Sequence, residues 1–64
     1  MNKKQIEKKA FAYGKEAYFS GIKRVPCYDD NIIKLAKSFD AYYRIKLFKK
    51  WMDGYGLMVK FNFN

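Results

Sequence analysis

The first third of the chain has the hydrophobic and polar pattern of one helix. Small residues recur at spacings of four, three and four, which places them on a single helical stripe: Ala10, Gly14, Ala17 and Gly21. Strong helix formers dominate around this stripe, and no proline interrupts it. The pattern predicts a first helix over about residues 3–20, capped by Asn2. Because Gly14 is unfavourable inside a helix, we expect another helix to approach the chain closely there.

The only proline, Pro26, predicts a connecting loop over residues 21–29, because proline forces the preceding residue out of the helical conformation. Asp29 and Asp30 follow the loop and supply candidate N-cap side chains. A negative charge is also favourable at a helix N-terminus. A second helix should therefore begin near residue 30.

Apolar residues recur with helical periodicity through the middle of the chain, at Ile32, Leu35, Ala36, Phe39, Tyr43, Leu47 and Trp51. We therefore predict a second helix over about residues 30–53, ended by Gly54. Ser38 and Asp40 are both capable N-caps, so a break near residues 38–40 is the alternative to one unbroken helix. The unbroken helix is the prediction that we favour.

The last eleven residues, 54–64, predict a short extended tail, because apolar and polar residues alternate from Val59 to Phe63. This tail would fold back with Phe61 and Phe63 as anchors or, as the less favoured alternative, join a partner's sheet edge. The sequence thus predicts an all-α fold. It has two helices, or three with the break, packed as a helix-loop-helix in one small domain over residues 1–64.

The chain has few residues that could support catalysis or bind a metal ion. The chain has no histidine, so it lacks the usual general base near neutral pH. Its single cysteine, Cys27, cannot form an internal disulfide, and without histidine it cannot belong to a Cys/His zinc site. Helix capping accounts better than metal binding for the pair Asp29 and Asp30. We therefore predict a binding protein with no catalytic residues, no cofactor and no metal.

The sequence has no apolar run near 20 residues and no signal peptide at the N-terminus, which predicts a cytoplasmic protein away from membranes.

Charge gives the strongest indication of a partner. The 64 residues contain 14 Lys and Arg against 6 Asp and Glu, a net charge of +8. This excess of positive charge favours a polyanion as the partner over a solvated basic surface that has no partner. Among polyanions, we favour RNA over DNA. Aromatic residues make up 20% of the chain, so some rings should stay exposed for stacking on unpaired bases, with Tyr28 and Tyr42 as candidates near cations.

Basic residues gather in three places: the first turns, the loop and the second helix. The first group contains Lys3, Lys4, Lys8 and Lys9. We predict that Lys37 and Arg44, with Lys34 as an optional third member, form a ridge along the second helix that follows a phosphate backbone. The predicted nucleic-acid-binding residues are Lys23, Arg24, Tyr28, Lys37, Arg44, Lys46, Lys49 and Lys50.

Three segments carry short motifs: residues 10–21 (AFAYGKEAYFSG), 26–28 (PCY) and 51–55 (WMDGY). Together they resemble the ribosome modulation factor family of small basic bacterial proteins. The resemblance implies an all-helical protein that binds ribosomal RNA and lowers translation by occupying a messenger-binding region of the small subunit. It also implies that Gly14, Ala17, Gly21 and Trp51 build the fold. Lys23, Arg24, Tyr28 and the lysines of the second helix would then contact RNA.

A short chain rich in Lys, Tyr and Asn also resembles bacteriophage accessory proteins. Such a protein could act on host translation or transfer RNA, or inhibit a host protein such as a nuclease. The aromatic segment from Tyr55 to Phe63 is the feature that favours a protein partner. RNA or ribosome binding and host-protein inhibition therefore remain the two functional hypotheses.

Overall fold

Three α-helices account for most of the computed structural model, which describes residues 2–62. The elements are α1 (Lys3–Phe19), a 3₁₀ turn (Pro26–Tyr28), α2 (Asp30–Ala36) and α3 (Ala41–Asn62). No strand occurs between residues 2 and 62. The prediction of an all-α fold is confirmed.

Both ends of α1 follow local sequence signals. At the start, the Asn2 side chain accepts a hydrogen bond from the backbone N–H of Gln5 at 2.9 Å. At the end, Gly21 adopts a φ of 77°, in the left-handed region that favours glycine. The N–H of Ile22 can then donate to the carbonyl of Ala17 at 3.0 Å, which closes the helix. The predicted first helix and its Asn2 cap are confirmed.

The favoured prediction of one unbroken helix over residues 30–53 is wrong, and the alternative break is confirmed. The second helix, α2, ends at Ala36, and α3 begins at Ala41. Asp40 starts the new helix, since its Oδ1 accepts a hydrogen bond from the backbone N–H of Tyr43 at 2.8 Å.

Arg44 stabilises the corner between α2 and α3. Its Nε donates to the carbonyls of Phe39 and Ala36, at 2.7 and 3.2 Å, and a terminal nitrogen donates to the carbonyl of Lys37 at 2.9 Å. The Ala36 and Lys37 carbonyls lie at the C-terminal end of α2 and the Phe39 carbonyl lies between the helices, so the guanidinium donates to backbone acceptors on both sides of the corner. The bond network makes the break a specific structural feature.

The predicted extended tail over residues 54–64 is also wrong for the described residues. Gly54 does not end the helix, and α3 continues to Asn62. The apolar residues near Val59 therefore lie on a helix and not on a strand. Phe63 and Asn64, the last residues of the predicted tail, lie outside the described residues.

One glycine from each helix lies where the backbones of α1 and α3 meet. A Cβ atom added to Gly14 would lie 1.9 Å from the Trp51 carbonyl oxygen, and one added to Gly54 would lie 2.1 Å from the Phe11 carbonyl oxygen. Only glycine allows the two backbones to approach so closely. This contact is the packing reason for Gly14, and it explains why a helix continues through Gly54.

The contacts between α1 and α3 show that the two helices run parallel. Near their N-terminal ends, the Tyr43 hydroxyl lies 3.0 Å from the Glu7 carboxylate. Further along, the rings of Tyr18 and Tyr55 meet edge to face with centroids 5.6 Å apart. The loop and α2 connect the end of α1 to the start of α3. All three helices contribute buried residues to one core.

The core is small and centred on α3. Trp51, Leu47 and Ile32 are its largest fully buried side chains. Asp29 is buried beside them, where Oδ2 accepts a hydrogen bond from Trp51 Nε1 at 2.7 Å and Oδ1 accepts one from the N–H of Asn31 at 3.0 Å. One carboxylate therefore caps α2 and fixes the indole of α3.

Candidate nucleic-acid interface

A groove with basic walls lies between α1 and α3. Its α1 wall presents Lys4, Lys8, Phe11 and Lys15, and its α3 wall presents Lys50. Glu7 and Ala12 complete the lining of this space of about 500 Å³. Lys4 and Lys15 lie 11 positions apart, which is about 17 Å at the rise of an α-helix.

Helical geometry explains why the lysines share this groove. Lys4, Lys8, Phe11 and Lys15 follow one another at intervals of four, three and four residues, so they form a stripe along α1. This stripe lies beside the buried one that contains Ala10 and Ala17. No lining residue comes from α2, which packs on the core from elsewhere. The groove is therefore open to a ligand.

Among residues 2–62, Glu7 is the one carboxylate that lines the groove, and it is already engaged. It accepts a hydrogen bond from the Tyr43 hydroxyl at 3.0 Å, and Lys46 Nζ lies 3.8 Å away. Desolvation, this hydrogen bond and the charge of Glu7 together raise the pKa of Tyr43 above its ordinary value, so the hydroxyl stays protonated as the donor to a higher pH than in a free tyrosine. The carboxylate's charge is thus directed at Lys46 and Tyr43. Lys46 itself, whose side chain is 55% exposed, keeps further N–H donors for another anion.

An aromatic ring forms part of the groove surface. Lys15 Nζ lies 5.4 Å from the centroid of the Phe11 ring, within the range of a cation–π contact. Such a contact orients the ammonium without neutralising it. Lys15 therefore remains available to an anion in the groove.

A second depression lies on the outer surface of α3. Tyr42, Ile45, Lys46 and Lys49 line this space of about 290 Å³. Lys46 connects it to the groove, because its ammonium contacts the groove residue Glu7. We call the two depressions together the basic face. Its lysines and exposed or half-buried rings are Lys4, Lys8, Lys15, Lys46, Lys49, Lys50, Phe11 and Tyr42.

The structure places three of the eight predicted binding residues, Lys46, Lys49 and Lys50, on the basic face. Lys23 and Tyr28 line a separate shallow depression together with Ile22. Arg24 lies against α3, since a Cβ added to Gly56 would be 2.6 Å from its guanidinium.

The remaining two predicted residues lie at the α2–α3 corner. The predicted ridge through Lys37 and Arg44 depended on an unbroken helix, and that helix is absent between residues 30 and 53. Arg44 instead directs its guanidinium to backbone carbonyls, including that of Lys37. The Nε and one terminal nitrogen of Arg44 are therefore engaged by the fold.

The predicted set omitted the residues that form the α1 wall. Lys4 and Lys8 belong to the basic cluster on the first turns, while Lys15 and Phe11 were not assigned to any site. The repeat of four, three and four residues was visible in the sequence and is a usable signal. Only the position of Lys50 across the groove shows that this repeat forms one wall of a candidate site.

Residues 2–62 contain no group of three or more His, Cys, Asp or Glu side chains placed to hold a metal ion. In the same range, none of the helices combines the length and the apolar character that crossing a bilayer requires.

Comparisons of the chain with models of known families, with curated proteins and with solved structures give no significant match.

Proposed function

We propose that this protein binds RNA through the basic face and acts by occupancy, without catalysis. The observation that supports this most directly is the groove itself, where four lysines surround a single carboxylate that is engaged by Lys46 and Tyr43. With two more lysines on the outer surface of α3, the face concentrates positive charge along two parallel helices.

Such an arrangement suits a phosphate backbone. Each phosphate that meets a lysine releases condensed counterions, and this release favours binding whatever the nucleotide sequence. Contacts of this kind position the protein, and neighbouring side chains supply any preference for base or shape. The net charge of +8 adds attraction over a longer range and speeds encounter with the polyanion.

For the target we propose ribosomal RNA or the ribosome, with transfer RNA as the other candidate, in the cytoplasm. The sequence motifs that resemble ribosome modulation factors support this choice, as does the preference of exposed rings for unpaired bases. The effect would be a change in translation through blocked access to the bound RNA.

Charge removal at the basic face tests the proposal. The triple variant Lys8→Gln, Lys15→Gln, Lys50→Gln removes three groove cations, so affinity for transfer RNA should fall on the order of 10- to 100-fold. The matched control, Lys9→Gln, Lys34→Gln, Lys37→Gln, loses the same charge at lysines that do not line either depression of the face. Its affinity should fall by less than about 3-fold, because only the long-range attraction is reduced.

Fluorescence anisotropy with labelled transfer RNA measures both affinities, and circular dichroism checks that both variants remain helical. Equal losses in the two triple variants would mean that the basic face is not the site. Absence of binding by the unmodified protein at low ionic strength would remove the proposal.

A second candidate function is inhibition of a host protein by a bacteriophage accessory protein. Phe19 and Phe61, at 69% and 70% exposure, favour it, because neither lines the basic face and exposed phenylalanines are common at protein interfaces. A partner that stays bound after nuclease treatment would distinguish this function from RNA binding.

A further inference from the structure

Tyr42 and Tyr43 are neighbours in sequence but have opposite environments. The Tyr43 hydroxyl donates to Glu7, and its ring packs on the Phe39 ring with centroids 5.0 Å apart. Tyr42 is 86% exposed, and between residues 2 and 62 no hydrogen bond or ring contact engages its side chain. Tyr43 therefore stabilises the fold, whereas the Tyr42 ring is exposed on the surface and has no partner among residues 2–62.

The free ring lies among cations. Ile45, Lys46 and Lys49 follow Tyr42 at three, four and seven positions along α3, so all four share one surface of the helix. Lys46 joins this surface to the lysine groove through Glu7. A ligand chain that runs along the groove therefore meets the ring with its phosphates still beside lysines.

We infer that the ligand of the basic face is a single-stranded RNA segment, with one unpaired base stacked on Tyr42 and its flanking phosphates held by Lys46 and Lys49. This inference rests on the proposed function and specifies its substrate class. A base in a duplex has both faces covered by its neighbours, so an exposed tyrosine gains nothing from paired RNA. An unpaired base offers a free π-face, and stacking of this kind tolerates any nucleotide.

The test compares three ligands for the variant Tyr42→Ala. Affinity for a single-stranded RNA 12-mer of mixed sequence should fall about 5- to 100-fold, the range that loss of one base–aromatic stack produces. Affinity for the same RNA annealed to its complement, and for inorganic polyphosphate, should change by less than about 2-fold, because only phosphate contacts contribute there. Tyr42→Phe keeps the ring and should restore binding of the single strand.

Tyr28→Ala is the matched control. Tyr28 is also exposed, at 63%, but it lies in the separate depression with Lys23, so its removal should leave the affinity for the single strand within about 2-fold. Thermal melts followed by circular dichroism verify that each variant keeps the midpoint of the unmodified protein.

Three outcomes would overturn the inference: no loss on Tyr42→Ala, an equal loss for polyphosphate, or an equal loss on Tyr28→Ala. In each of these cases the unmodified protein still binds polyphosphate and RNA through its lysines, so the proposed function would stand. Failure of the proposed function has a different signature, since the unmodified protein would then bind none of the three ligands at low ionic strength.

Discussion

Replacing Gly14 with alanine should lower the free energy of unfolding by about 2–3 kcal/mol, a large part of the stability expected for a domain of this size. The added Cβ would meet the carbonyl oxygen of Trp51 at 1.9 Å and its carbonyl carbon at 2.8 Å. Both atoms belong to the α3 backbone, so relief requires the two helices to separate. Overpacking of this kind costs about 3 kcal/mol, and the higher helix propensity of alanine offsets up to about 1 kcal/mol of this cost.

The sign of the Gly14→Ala effect is what makes this variant informative. Alanine is favoured over glycine inside a helix by about 1 kcal/mol, so a glycine without a packing role would give a more stable variant. Gly54→Ala should be as destabilising, because its Cβ would meet the Phe11 carbonyl oxygen at 2.1 Å.

Gly56→Ala is the control on the same helix. Its Cβ would meet only the end of the Arg24 side chain, at 2.6 Å, and that flexible chain can move away. We expect this variant to keep its stability or gain up to about 1 kcal/mol. Thermal melts monitored at 222 nm compare the three variants. A Gly14→Ala protein that melts at or above the midpoint of the unmodified protein would contradict the close crossing of α1 and α3.

Asp29→Ala should destabilise the protein by a comparable amount, through the loss of two hydrogen bonds. The substitution leaves the buried Trp51 Nε1–H without an acceptor, which costs about 1–3 kcal/mol, and removes the N-cap of α2, which costs about 1 kcal/mol more. The expected decrease in the free energy of unfolding is therefore about 2–4 kcal/mol, measured by urea denaturation.

Asp30→Ala provides a control with the same change in composition and charge. Asp30 is exposed and lies in the first turn of α2, where its carboxylate only interacts favourably with the helix dipole. Its loss should cost about 0.3–1 kcal/mol. If the two variants were equally stable, the hydrogen bond between Asp29 and Trp51 would not stabilise the fold as described.

The features of the fold that the sequence predicted depend on local signals. Asn2 and Gly21 mark the two ends of α1, and both act through hydrogen bonds within a few residues. The break before α3 was ambiguous because apolar periodicity continues across it. The hydrogen bonds of Arg44 to three backbone carbonyls stabilise it, and periodicity does not register such bonds.

The C-terminal third was mispredicted because a nonlocal contact decides it. Gly54 has the local character of a helix terminator, yet it lies where α3 meets the α1 backbone near Phe11. Packing against α1 offsets the low helix propensity of glycine, and the helix continues for eight residues beyond it.

The site could be predicted only in part for the same reason. Charge and composition indicated a polyanion ligand and identified Lys46, Lys49 and Lys50. The parallel arrangement of α1 and α3 then brings Lys50 to the groove that contains Lys8 and Lys15, which are 35 or more positions away in the chain. No single-helix pattern shows that arrangement.

The salt dependence of RNA binding tests the central claim most directly, because phosphate contacts release counterions and other contacts do not. With about six lysines engaged on a single strand, the slope of the logarithm of the binding constant against the logarithm of salt concentration should be about −4. In the variant Lys8→Gln, Lys15→Gln, Lys50→Gln, the slope should shrink in magnitude by about 2. A slope near zero for the unmodified protein would contradict the claim that the basic face holds RNA by its phosphates.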